Sequence, residues 1–187
     1  MSTTTIVVLA VLALVVLWVI FAYNRLITLV NRAKEAWADI QVQLKRRYDL
    51  IPNLVETVKG YAAHEARAFE NVTKARAAAM SATSAPDKAQ AENQLTGALK
   101  TLFAVSEAYP ELKANQNFLG LQQELADTEN KIQAARRFYN STVMALNTAE
   151  QVFPGNLIAS MLGFGLMDLF ELGEGEAAAA EPVKVQF

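Results

Sequence analysis

IVVLAVLALVVLWVIFA, residues 6–22, is an unbroken apolar run with no charge, proline or glycine. Tyr23 and Asn24 follow, then Arg25, Arg32 and Lys34. At a rise of ~1.5 Å per residue the run is about 26 Å long, at the short end of what crosses a bilayer core. Thr3, Thr4 and Thr5 on one side, and Leu26 and Ile27 on the other, can lengthen it. The expectation is a membrane anchor over residues 6–23, preceded by a short extracytoplasmic N-terminus at 1–5. Ile6, Leu9, Leu12, Val16, Trp18 and Phe21 are its lipid-facing candidates.

A cleaved leader needs a positive start, a short apolar core and small residues at the cut. Residues 1–5 carry no charged side chain, and the run ends in bulky Trp18, Phe21 and Tyr23. An uncleaved anchor is therefore expected. Lysine and arginine concentrate on the cytoplasmic side of membrane helices. Here they lie only on the C-terminal flank, so the N-terminus is expected outside and the rest in the cytoplasm of a bacterial inner (plasma) membrane.

Composition narrows what that remainder can do. Seventeen basic and nineteen acidic residues leave a formal charge of -2. There is no basic excess to gather nucleic-acid phosphates. Cysteine is absent and His64 is the single histidine. Disulfides, thiol nucleophiles and most histidine metal sites are excluded.

Beyond the anchor the chain reads as all-α. Leu26, Val30, Ala33, Trp37, Ile40 and Leu44 recur at spacings of four and three, the seam of a packed helix. No breaker separates this seam from the apolar run, so one helix is expected to continue from lipid into the body, ending at about residue 48. Proline disfavours helical geometry at the residue before it but suits the first turn of a new helix. A tight corner is accordingly expected at residues 49–52, and a second helix over about 52–80 with Gly60 inside it. Val55, Val58, Ala62, Glu65, Phe69, Val72, Arg76 and Ala79 form its stripe.

Residues 81–86 are a loop by composition. A third helix covers about 86–107, with Leu95, Ala98, Leu102, Val105 and Tyr109 on one face. A short irregular link and a long fourth helix over about 117–152 follow. Four helices with short links make an antiparallel bundle, here residues 24–153. An even count returns the fourth helix to the membrane, beside the apolar segment 154–170, for which two readings stand: in the membrane interface, or capping the end of the bundle. If Pro52 merely kinks one long helix, the count falls to three and that segment lies far from lipid. The tail, 171–187, has Glu174, Glu176, an alanine run and Pro182, and reads as disordered.

Catalytic constellations are hard to assemble. His64-Glu65 begins like a zinc-protease helix, but the second histidine position is Ala68. A carboxylate-bridged metal pair would need two Glu-x-x-His motifs, which one histidine cannot supply, although Glu65, Glu107, Glu124 and Glu129 could approach one another. No cofactor is expected. Glu65 and Arg76 stand out because they fall on an apolar seam, where a charge must be paired. The expected network is Arg47, Glu65, Arg76, Glu107, Glu129 and Asn140. The competing reading is a polar ligand pocket around Glu65, Arg76 and Asn140.

Several motifs resemble the LemA family. They are Asn24 with Trp37, QLKRRYDLIPNLV at 43–55, and Val58-Lys59-Gly60-Tyr61 with His64-Glu65. YPELKA at 109–114, Thr128-Glu129, Ala135-Arg136, Tyr139-Asn140 and Phe153-Pro154 complete the set. The resemblance covers about residues 20–170. The family often repeats a Tyr-Asn pair, whereas Leu146-Asn147 stands here. The resemblance implies a single-pass bacterial membrane protein with an antiparallel helical bundle and no established enzymatic activity. It also implies kinship with a protein of magnetosome membranes and an association with membrane zinc metalloproteases.

The functional expectation is a non-catalytic scaffold or adaptor at the membrane, linked to protein quality control. Its expected partners are membrane lipid, further copies of itself, and a membrane protease or other membrane protein. Nucleic acid is not among them. The alternative is a small-ligand sensor or carrier.

Overall fold

A computed structural model describes residues 2–170. All regular structure among them is helical: α1 (Thr3–Lys59), α2 (Ala66–Ser81), α3 (Ala85–Ser106), α4 (Pro110–Lys113), α5 (Gln116–Gln151) and α6 (Gly155–Leu162). The tail expected to be disordered lies outside the described residues.

The corner expected at residues 49–52 is not there. Pro52 lies inside α1, and Ile51 before it is helical and buried. An α-helix pairs each N–H with the carbonyl four residues back. Proline has no N–H, so Pro52 leaves the Tyr48 carbonyl without its intrahelical donor. Arg76 fills the gap: its Nε donates to the Tyr48 oxygen at 2.8 Å. The proline itself faces solvent. A tertiary contact thus overrides a local breaker, and it accounts for a charged residue on the seam of α2.

The break falls at residues 60–65 instead. Gly60 is the first residue past α1, not an interior position of the next helix, and α2 starts at Ala66 rather than Pro52. Tyr61 and Ala62 both bond back to the Val58 carbonyl, closing the turn. Glu65, read as a seam residue, is the N-cap of α2, and its carbonyl accepts from Ala68 and Phe69.

The starts of α3 and α5 are locally encoded. The Ser84 hydroxyl accepts from the Asp87 N–H at 3.2 Å and donates to its carboxylate at 2.6 Å, with Pro86 in the first turn of α3. The Asn115 side chain accepts from the Phe118 N–H at 3.1 Å to cap α5, and its amide donates to the Tyr61 hydroxyl at 2.9 Å. The irregular link contains the single turn α4.

The described chain divides into two compact units. One comprises residues 2–38 with Arg137–Asp168. Its core joins Leu26 to Leu146, Ala149, Ile158 and Ala159, flanked by Val19, Ala22, Leu29, Val30, Phe164 and Met167. Gly155 lets α6 start hard against α5, because a Cβ there would stand 2.5 Å from the Ala149 carbonyl oxygen. The chain leaves α6 through Gly163, whose φ of 73° is left-handed backbone that glycine adopts without strain. The other unit comprises Asp39–Arg136 with residues 169 and 170. Ile40, Leu44, Ile51, Leu54 and Val58 line α1 there, with Leu95 and Leu102 of α3 and Phe118 and Ile132 of α5, all essentially inaccessible to solvent.

The Pro52–Arg76 compensation can be measured by a double-mutant cycle. Arg76→Met orphans a buried carbonyl and should cost about 1–3 kcal/mol in denaturant unfolding. In a Pro52→Ala background the new alanine's N–H takes that carbonyl, so the same substitution should cost markedly less. Strict additivity would show that Arg76 does not compensate for the proline.

Candidate functional site

The sequence places Arg47 and Tyr48 on the inward face of α1, and Lys88 and Glu92 on the same stripe of α3 as Leu95, Leu99 and Leu102. All four polar side chains are buried. Arg47 is the hub. Its Nη1 donates to Glu129 Oε2 at 2.9 Å and to Glu92 Oε2 at 3.4 Å, and its Nη2 donates to the Thr96 hydroxyl at 2.6 Å. One guanidinium therefore ties α1 to α3 and α5.

Tyr48 makes the second set of links. Its hydroxyl donates to Glu92 Oε1 and lies 3.2 Å from the Ala79 carbonyl of α2. That carbonyl accepts from Lys88 Nζ at 2.7 Å, and the same ammonium sits 5.7 Å above the Tyr48 ring. Burial, then the hydrogen bond to Glu92 and that group's charge, push the Tyr48 phenol far above its ordinary range. It remains a proton donor throughout the physiological range. Burial pushes the Glu92 carboxyl upward, opposed by the bond from Tyr48 and the charges of Arg47 and Lys88.

Two carboxyl groups face two cations, each with a named partner. The cluster joins helices. An open cleft of about 250 Å³ adjoins it, with Arg47, Thr96 and Glu129 at one side and Leu99, Phe103 and Leu125 among its apolar walls.

Of the residues expected in the network, Arg47 and Glu129 are brought together. Arg76 is a neighbour through the Tyr48 carbonyl. Glu65 is half-buried at the α2 N-cap, and Glu107 is an exposed side chain paired with Lys113. Asn140 belongs to the other compact unit. None of Glu65, Arg76 and Asn140 lines the cleft beside Arg47. Among the described residues no three His, Asp or Glu side chains gather so as to hold a metal ion.

Tyr48, Lys88, Glu92 and Thr96 are the residues that sequence reading missed. The signal for two of them was present. Lys88 and Glu92 continue the Leu95, Leu99 and Leu102 stripe at helical spacing, so charges stood where apolar residues belong.

The unit containing residues 2–38 has a polar device of its own. The Asn147 side chain donates to the Met167 carbonyl at 2.9 Å and accepts from the Met167 N–H at 3.0 Å. The Tyr139 hydroxyl donates to the Asp168 carbonyl at 2.9 Å, and its ring lies 5.3 Å from that of Trp37. The residues after α6 are thereby strapped to α5. Within α1, Ile6, Leu9, Leu12, Val16, Trp18 and Phe21 are all exposed, and the most apolar window of that helix has no buried residue. Among the described residues α1 alone is long and apolar enough to cross a membrane.

The family model described as LemA family matches residues 36–187. That region holds the whole Arg47 cluster. The chain belongs to the LemA family. This LemA-family chain is similar to Protein LemA of Metamycoplasma hominis, 27% identical over 157 residues covering 82% of this chain and 70% of that protein. It is also similar to Magnetosome protein MamQ of Magnetospirillum gryphiswaldense, 23% identical over 174 residues covering 79% of this chain and 64% of the relative. Magnetosome protein MamQ 1 of Paramagnetospirillum magneticum is 23% identical, with 80% and 64% covered. The chain thus spans less than two thirds of the length of these magnetosome relatives.

Removing one member of a buried ion cluster strands the others. Glu92→Ala should lower unfolding free energy by about 3–5 kcal/mol, because Arg47 and Tyr48 lose a partner and Lys88 a nearby opposite charge. Asp49→Ala, which breaks only the exposed Lys45–Asp49 pair, should leave the midpoint nearly unchanged. Equal effects in denaturant unfolding would deny the cluster its structural role.

Proposed function

We propose that this protein is a non-catalytic scaffold or adaptor held at the bacterial inner membrane, with its N-terminus outside and its helical body in the cytoplasm. The observation that carries this reading is the unburied apolar stretch of α1, which runs without a break into a body whose central charges are spent on one another. A side chain committed to two or three internal bonds is not available to a substrate. Four long helices, α1, α2, α3 and α5, joined by short turns, favour the antiparallel bundle. Arginine and lysine on the C-terminal flank of the span favour the orientation.

Its partners are further copies of itself and other membrane proteins, a quality-control protease among them. The relatives named as magnetosome proteins accord with work at a membrane surface. The ligand-carrier alternative draws no support from the cleft, whose lining omits the three residues on which that reading rested.

Crosslinking in intact membranes tests the adaptor role. Photo-reactive side chains on exposed α2 and α5 positions should give products heavier than the monomer. Monomer alone at every position would overturn it. The orientation is tested separately: a reporter active only outside the cytoplasm, fused after Phe187, should stay silent, and strong activity would reverse the assignment.

A further inference from the structure

Residues 152–167 contain no ionisable side chain, the longest such stretch after the span itself. They comprise the end of α5, the turn at Phe153-Pro154, α6 and the start of the strap. One side of this segment is committed to the protein. Ile158 and Ala159 are buried against Leu26, Leu146 and Ala149, with Val19 and Ala22 alongside. The other side is bare: Phe153 is 79% exposed, Met161 81%, Leu166 60%, and Leu157 and Leu162 just over half.

The level at which this bare face sits identifies its occupant. Val19, Ala22 and Leu26 mark the end of the apolar run, and Arg25 is the first cation after it. Trp18, Phe21 and Ala22 form a groove with Val152, Phe153 and Gly155, so the turn before α6 lies beside the same turns of α1. Tyr23 meets Phe164 edge to face, with ring centroids 6.3 Å apart. Tryptophan and tyrosine characteristically mark the membrane–water boundary. The exposed face of α6 is therefore continuous with the lipid-facing surface of the span. A soluble surface seldom carries so many large apolar side chains together. A run of about 26 Å also falls short of a hydrocarbon core of about 30 Å, and an apolar layer beside residues 19–26 covers the shortfall.

We propose that α6 and its flanks are a second membrane contact, lying in the headgroup–acyl boundary with Phe153, Leu157, Met161, Leu162 and Leu166 turned into lipid. Helices that lie in this zone bury their apolar face to a depth of about 5–10 Å. The inference rests on α1 spanning the membrane and adds a lipid-bound site on the far end of the chain.

The chain has no cysteine, so a single introduced thiol labels uniquely. Full-length protein is reconstituted into phosphatidylethanolamine–phosphatidylglycerol vesicles with an environment-sensitive fluorophore at Met161→Cys. Val16→Cys serves as a control in the span and Lys74→Cys as a control in water. The Met161 probe should show blue-shifted emission and lose intensity to nitroxides placed high on the lipid chains. The Val16 probe should respond to deep nitroxides and the Lys74 probe to neither. If the Met161 probe behaves like that at Lys74 while Val16 is quenched, the span stands and the second contact is refuted. Loss of lipid quenching at Val16 as well would overturn the anchor and the inference with it. A blue shift at Met161 without lipid quenching, relieved by dilution into excess lipid, would assign the face to a second copy and also refute the proposal.

Discussion

Pro52 deletes one amide donor from the middle of α1, and the guanidinium of Arg76 stands in its place on the Tyr48 carbonyl. Much else depends on this substitution of a tertiary donor for a local one. It keeps α1 helical to Lys59, and so keeps Leu54, Val55 and Val58 on the stripe that begins with Ile40 and Leu44. It also holds α2 against the turn of α1 that carries Arg47 and Tyr48. Three consecutive features of that turn, the side chains of residues 47 and 48 and the carbonyl of 48, then reach α2, α3 and α5.

A cluster of this kind contributes specificity more readily than stability. Replacing a buried ion group by well-packed apolar residues is often neutral or stabilising, whereas breaking it is costly. A leucine in place of Glu92 could be buried in many registers. A carboxyl that must meet Arg47 and Tyr48 together accepts far fewer. The apolar stripes supply the driving force for packing, and the polar cluster ties α1 to α2, α3 and α5 at named atoms.

Much of this organisation was legible in the sequence. The 6–22 run, Pro86 opening the third helix, the long helix ending before Pro154 and the seven-residue spacing of Phe118, Leu125 and Ile132 all carry local signals. Proline at 52 carries a strong local signal too, and it misleads, because the donor that rescues the helix lies 28 residues away in sequence. Gly60, by contrast, looks like a tolerated interior glycine and marks the end of α1. The polar site was legible in part. Arg47 and Glu129 were expected in the network, but a face of α3 drawn through Ala98 and Val105 instead of Leu99 and Ser106 is rotated, and that rotation hides Lys88 and Glu92. Glu65 looks like a helix-interior residue in sequence and stands at the start of α2, and Glu107 ends α3; at helix ends a charge needs no buried partner.

By donating to and accepting from the same residue, Met167, the amide of Asn147 imitates the backbone of a neighbouring strand. Such a two-point clasp reads position along the chain. Were the strap to slip by a single residue, either Leu166, now mostly in the open, or the carboxylate of Asp168 would arrive where Met167 packs against the core of its unit. The first exchange alters which apolar side chain is outermost; the second drives a charge into hydrocarbon. The Asn147 amide, with the Tyr139 hydroxyl on the next carbonyl, thus fixes which side chains of the strap face outward.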